Sequence, residues 1–171
     1  MNGSRPITLR SRLRDFSHGE HGVKRGGQGQ KMKNSKVKGE LRTDLQTWLD
    51  SQEPLLRYTD TPDLAMLQRG LAAQGLEVHV IDFQTATDKS SLLRIIHQAM
   101  NWPAWFGFNW DALEDALYGP EATDAAPQVL ICHGLRSLEQ QAPDDAAVFY
   151  DILASVATDE RSTLRGAIVV T

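Results

Sequence analysis

Apolar residues are almost missing from the first forty positions and then recur in two rhythms, a helical spacing and short contiguous runs. Leu41 to Leu56, with DLQTWL, has short helical character. Pro62 followed by DLAMLQRGLAAQG predicts a helix over about 62–74, with Pro near its first turn and Gly75 just past its end. LEVHVIDF at 76–83 is β-branched and apolar enough for a buried strand. Asp88 can then cap a helix whose stripe is Leu92, Leu93, Ile95, Ile96 and Met100, closed by Pro103. Asn109 is a good cap for a second helix, WDALEDALY, which stops at Gly119-Pro120. A strand at 128–134, a helix from about Asp144 to Ala157 and a terminal strand, GAIVVT, complete the order. Three apolar strands joined by helical crossovers predict an α/β fold: a small three-stranded parallel sheet covered by helices.

Charge divides the chain more sharply than its net −4 suggests. Residues 1–40 hold ten Lys and Arg against three acids, whereas the remainder holds eight against nineteen. The first segment is rich in Gly, Lys, Gln and Ser, so it has too little apolar surface to offset the entropy of ordering. It is expected to be a disordered basic tail. An organellar transit peptide and a nucleic-acid or anionic-surface contact both stay open for it, beside a plain solvated linker. Residues 41–61 are read as a linker or short helix, and 62–171 as the folded domain. Cys132 is the single cysteine, which excludes an intramolecular disulfide framework and makes the cytoplasm the expected compartment. No apolar run approaches the ~18 residues of a membrane span.

The segment with the most chemistry is WPAWFGFNWDALEDALYG, Trp102 to Gly119. Asp111, Glu114 and Asp115 stand at i, i+3 and i+4, so a helix gathers them on one face. No Lys or Arg occurs between Arg94 and Arg136, and the local field is therefore negative and uncompensated in sequence. Such a face suits a cationic partner.

The pattern P-x-W-F-G-x-N-W-D-A-L-x-D-x-L from Pro103 to Leu117, set in this element order, resembles the barstar family of intracellular ribonuclease inhibitors. The likeness is specific in that segment and extends more loosely over Leu76 to Thr171. It implies that the acidic helix and the loop before it plug a ribonuclease active site, with carboxylates taking the place of RNA phosphates, in an antitoxin or immunity role. It implies a basic ribonuclease as partner and no cofactor; a monomer is expected. By motif position, Asp115 corresponds to the central phosphate mimic and Asp111 to a supporting carboxylate. Trp105 stands where the family presents an aromatic ring, Gly107 where the loop turns toward the partner, and Asn109 where the helix starts. Glu114 departs from the family's Trp and would bring a charge instead of apolar area. A further acid usually comes from the last helix, but the aligned position falls near Ala154, with only Asp151 close by.

Structural readings stand beside these. Asp111 lies in the first helical turn, where the dipole favours a carboxylate by about 0.3–1 kcal/mol whatever the function. Asp115 lies beyond that turn and has no basic residue three or four places away. Trp102, Phe106 and Trp110 suit packing of the loop on the sheet. His79, His97 and His133 read as core or surface histidines, and Cys132 as a buried strand residue. His18 and His21 make a weak metal pair.

An enzyme fits the residues poorly. A nuclease must attract RNA, which this helix would repel, and there is no Gly-rich phosphate loop, nucleophile elbow or zinc-ligand pattern. The competing reading is a non-inhibitory module whose acidic face binds another basic protein while the tail contacts nucleic acid.

Overall fold

The computed structural model describes residues 42–119 and 125–171. The expectation of a disordered tail over 1–40 therefore lies outside the described residues. In chain order the elements are α1 (Thr43–Asp50), β1 (Leu55–Tyr58), α2 (Leu64–Ala72), β2 (Glu77–Asp82), α3 (Lys89–Ala99), α4 (Trp110–Leu117), β3 (Gln128–His133), α5 (Arg136–Gln141), α6 (Pro143–Thr158) and β4 (Leu164–Val170).

The sheet is parallel throughout, in the order β1-β4-β3-β2. It has four strands where the apolar pattern predicts three, because Leu55–Tyr58 adds an edge against β4, with Leu55 opposite Ala167 and Tyr58 opposite Val170. That strand is four residues long and directly follows Pro54, too short for a pattern of its own. α5 is the other unpredicted element.

Alternation along the strands splits the interior into two layers. Leu130, Cys132, Ala167 and Val169 point to one side, where they meet Leu92, Leu93 and Ile96 of α3, Leu113 and Leu117 of α4, and Phe149 and Leu153 of α6. Val129, Ile131, Ile168 and Val170 point to the other, where Leu45 and Trp48 of α1 and Leu67 and Leu71 of α2 cover them. The sheet is thus roofed on both faces, as parallel sheets require.

Caps hold the helix ends. Asp63 accepts from the Met66 N–H at 3.0 Å, and Asp88 with Ser91 forms a reciprocal capping box on α3. The end of α1 is closed from a distance: Arg165 of β4 donates through Nη2 to the carbonyls of Trp48, Leu49 and Ser51 at 3.0, 3.3 and 2.8 Å, and through Nη1 to Glu53 at 3.3 Å. Next to it, Gly166 must be glycine. A Cβ there would run into the Pro54 carbonyl and stand 2.7 Å from the Trp48 ring.

Candidate functional site

The acidic helix is α4, and its start is built as the sequence predicts. The Asn109 side chain accepts from the Ala112 N–H at 2.8 Å, and the Asn109 carbonyl takes the Leu113 N–H at 3.1 Å. Leu113 and Leu117 are buried in the core, which fixes the rotation of the helix. Asp111 and Asp115 consequently face solvent, while Glu114 is half-buried between them. Among the described residues, no ion pair engages any of the three carboxylates.

The loop in front of α4 folds over the end of α3. Trp102 N–H donates to the His97 carbonyl at 3.1 Å, and Phe106 N–H to the Pro103 carbonyl at 3.0 Å. Phe106 is buried and stacks on Trp102 with centroids 5.1 Å apart. Trp102, Phe106 and Trp110 all pack against the core, with Lys89 Nζ lying 5.1 Å from the centre of the Trp110 ring. Trp105 does the opposite. It is 84% exposed, a large cost in wetted apolar area for a residue with no partner, and it stands on the same side of the molecule as Asp115. Between loop and helix runs a groove of about 780 Å³, lined by Trp102, Pro103, Trp105, Phe106, Gly107, Ala112, Asp115, Ala116 and Gly119. Its walls are apolar except for Asp115, so a cation entering it would meet that carboxylate in a medium that weakens screening.

Gly107 sits in this loop for a reason other than the one its residue type suggests. The left-handed position is Phe108, at φ +46°, and Gly107 is not among the positive-φ residues. A side chain at Gly107 would instead lie 3.1 Å from Asn109 Nδ2 and 3.3 Å from Ala112 Cβ, crowding the helix cap. The close approach favours glycine.

Five further residues belong to the site's frame and carry no local sequence signal. His97 supports the loop from below, its Nε2 3.0 Å from the Pro103 carbonyl, and Phe108 rests on it. At the far end of α4, the Tyr118 hydroxyl donates to Asp159 at 3.1 Å, across 41 residues. Arg161 binds the same carboxylate at 2.6 Å and, through this ion pair, holds it well below the usual carboxylate range. The acid that α6 brings up to α4 is thus Asp159, already neutralised by this chain's own arginine; Asp151 is exposed on α6. Among the described residues, no group of three or more His, Cys, Asp or Glu side chains forms a metal-ligand set. Nor is any described helix long and apolar enough to cross a membrane.

Residues 76–170, more than half of the chain, match the family described as Barstar (barnase inhibitor). The chain belongs to the barstar family. No curated protein matches it. The barstar match begins at the residue before β2 and ends with β4, so α3, α4, the aromatic loop and three of the four strands fall inside it. α1, β1 and α2 lie before it and complete the second layer of the core.

Proposed function

We propose that this chain inhibits a basic ribonuclease by seating α4 and the Trp102–Phe108 loop in the enzyme's active site. One observation carries the reading: two carboxylates, Asp111 and Asp115, stand exposed one turn apart on α4 with no internal cation among the described residues, beside a Trp105 ring that is 84% exposed. The helix dipole accounts for Asp111 alone; Asp115 gains nothing of that kind, and like charges at this spacing repel while exposed apolar area is costly to a protein stabilising only itself. Membership of a family described as barnase inhibitor supports the same conclusion.

The mechanism is occupancy. Carboxylates at Asp115 and Asp111 stand where RNA phosphates would, and Arg or Lys side chains of the enzyme pair with them, with guanidinium able to bind two oxygens at once. Trp105 supplies rigid contact area, and the apolar groove beside Asp115 excludes water so that the pair is stronger than at an open surface. Asn109 and Gly107 hold the cap from which the face projects, and half-buried Glu114 tunes which enzymes fit. In this reading the protein is an antitoxin or immunity factor acting where its nuclease would otherwise cleave cellular RNA.

The test is to recover the full chain's tight partner from its own cell and assay it on RNA. A basic protein that cleaves RNA, and whose cleavage the chain blocks in competition with substrate, is the expected result. A tight partner without RNA-cleaving activity, or one inhibited without competition, overturns the proposal.

A further inference from the structure

The loop that bears Trp105 is anchored in the core by Trp102 and Phe106, and one side chain of α3, that of His97, touches it at several further points. His97 Nε2 lies 3.0 Å from the Pro103 carbonyl, and because a carbonyl can only accept, Nε2 carries the proton and donates. The backbone carbonyl of His97 takes the Trp102 N–H at 3.1 Å. Its ring lies 5.3 Å from Phe106 and 4.9 Å from Phe108, centre to centre. One residue therefore contacts the loop near its start, at its buried aromatic and at its end.

The end matters most. Phe108 has φ +46°, a conformation that a bulky L-residue leaves unless its surroundings impose it. Burial alone does not impose it, since Phe108 is 46% exposed. What holds the ring is a three-ring cluster, in which His97 and Phe106 stand 4.9 and 5.1 Å from Phe108 and 5.3 Å from each other. Phe108 immediately precedes Asn109, whose side chain fixes the first turn of α4 and the place of Asp111. A histidine in the last turn of a helix is ordinarily explained by the dipole. Here the ring reaches past the helix end to a different segment, and its donor is spent on Pro103.

We propose that His97 is the positioning residue of the partner-facing loop: it holds Pro103, Phe106 and Phe108 so that Trp105 and the α4 cap stand in their binding arrangement before a partner arrives. The inference rests on the reading of that loop as the partner's contact. Without His97, Phe108 relaxes toward negative φ and the competent arrangement becomes one of several, so a partner binds only the fraction that retains it.

The experiment uses the free full-length chain, without any nuclease, in four forms: wild type, His97→Ala, His97→Gln and His97→Phe. Gln keeps an N–H donor at about the reach of Nε2, while Phe keeps a ring and loses the donor. Amide hydrogen exchange at Trp102 and Phe106 and the ¹³C shifts of Phe108 report the loop; the amide of Val169 in β4 reports the core. In His97→Ala, exchange at Phe106 is expected to rise at least tenfold, with Phe108 shifts moving away from left-handed values and Val169 unchanged. His97→Gln should restore Phe106 exchange to within a few-fold of wild type, whereas His97→Phe should restore the Phe108 shifts but not the exchange. Wild-type behaviour in His97→Ala overturns the proposal, and so does an equal rise at Val169, which would mark a general loss of stability. Because no arm contains a nuclease, failure here is separable from failure of the inhibitor reading.

Discussion

Arg165 Nη2 lies 2.8 Å from the carbonyl oxygen of Ser51, so a side chain of the last strand closes the first helix. Three more carbonyls share the guanidinium, and its Cζ lies 5.1 Å from the centre of the Trp48 ring. Burial lowers the pKa of Arg165, yet no carboxylate among the described residues pairs with it; carbonyls at the end of a helix take that role. Arg165→Ala should destabilise the protein by about 2–3 kcal/mol, since charge-assisted hydrogen bonds of this kind contribute about 1.5–3 kcal/mol. Denaturant unfolding followed by tryptophan fluorescence measures it, and a midpoint equal to wild type would refute the capping role.

Binding and folding should separate at α4. Asp115 is exposed and free of ion pairs among the described residues, so Asp115→Ala should change stability by no more than about 0.5 kcal/mol. Affinity for the nuclease recovered as above should fall at least about 30-fold, the equivalent of about 2 kcal/mol for an interface anchor. Association should also slow as salt rises, because exposed carboxylates steer a basic partner over a distance that counter-ions shorten. Stopped-flow association at several ionic strengths checks the second point, and a flat profile counts against steering.

Asn109 links the two. Its Oδ1 satisfies the Ala112 N–H, and replacing such a cap by Ala costs about 0.5–2 kcal/mol. Asn109→Ala should therefore lower the unfolding midpoint and weaken binding together, while Asn109→Ser, which keeps an acceptor, should recover most of both. A stable but non-binding Ser variant would mean that Asn109 contacts the partner itself.

Alkaline pH should expose the buried interior. Burial pushes the Cys132 thiol from its ordinary 9.0 up to about 12. In that window the unfolded chain has lost the proton and the folded chain keeps it, so stability is complete below 9.0 and falls as pH rises, by about 1.4 kcal/mol per pH unit for one group. Tyr58 and Tyr150 act in the same direction, raised by burial and by their hydrogen bonds to Asp44 and Glu139. Unfolding free energies measured from pH 8 to 11 should show a slope that is shallower in Cys132→Ala. An unchanged slope in that variant would exclude the thiol as its source.

Much of this is legible in the sequence, and the exceptions share a cause. The Asn109 cap, the Asp88 cap and the Gly75 stop are local chemistry, in which a side chain serves a backbone group a few residues away, and sequence reports such features well. β1 is different. Leu55 finds its partner at Ala167, and only that distant strand makes four residues into an edge. α5, six residues running up to Ala142 and Pro143, merges with the helix that follows when read as a pattern. At the site, the face of Asp111 and Asp115 follows from helical spacing, whereas the roles of His97, Phe108 and Asp159 come from contacts among segments that sequence does not bring together. Gly107 shows the limit plainly: the sequence puts the loop's turn there, but the left-handed residue is Phe108, and a side chain at Gly107 would crowd Asn109 and Ala112.

The roof formed by α1 and α2 bears on how the molecule can be divided. A fragment trimmed to the matched span, 76–170, would shed both helices and β1, leaving Val129, Ile131, Ile168 and Val170 wet along one side of a parallel sheet and the rim of β4 open to any passing strand. Such a piece keeps every carboxylate of α4 yet invites self-association, so the smallest serviceable fragment is set by the underside of the sheet and not by the acidic face.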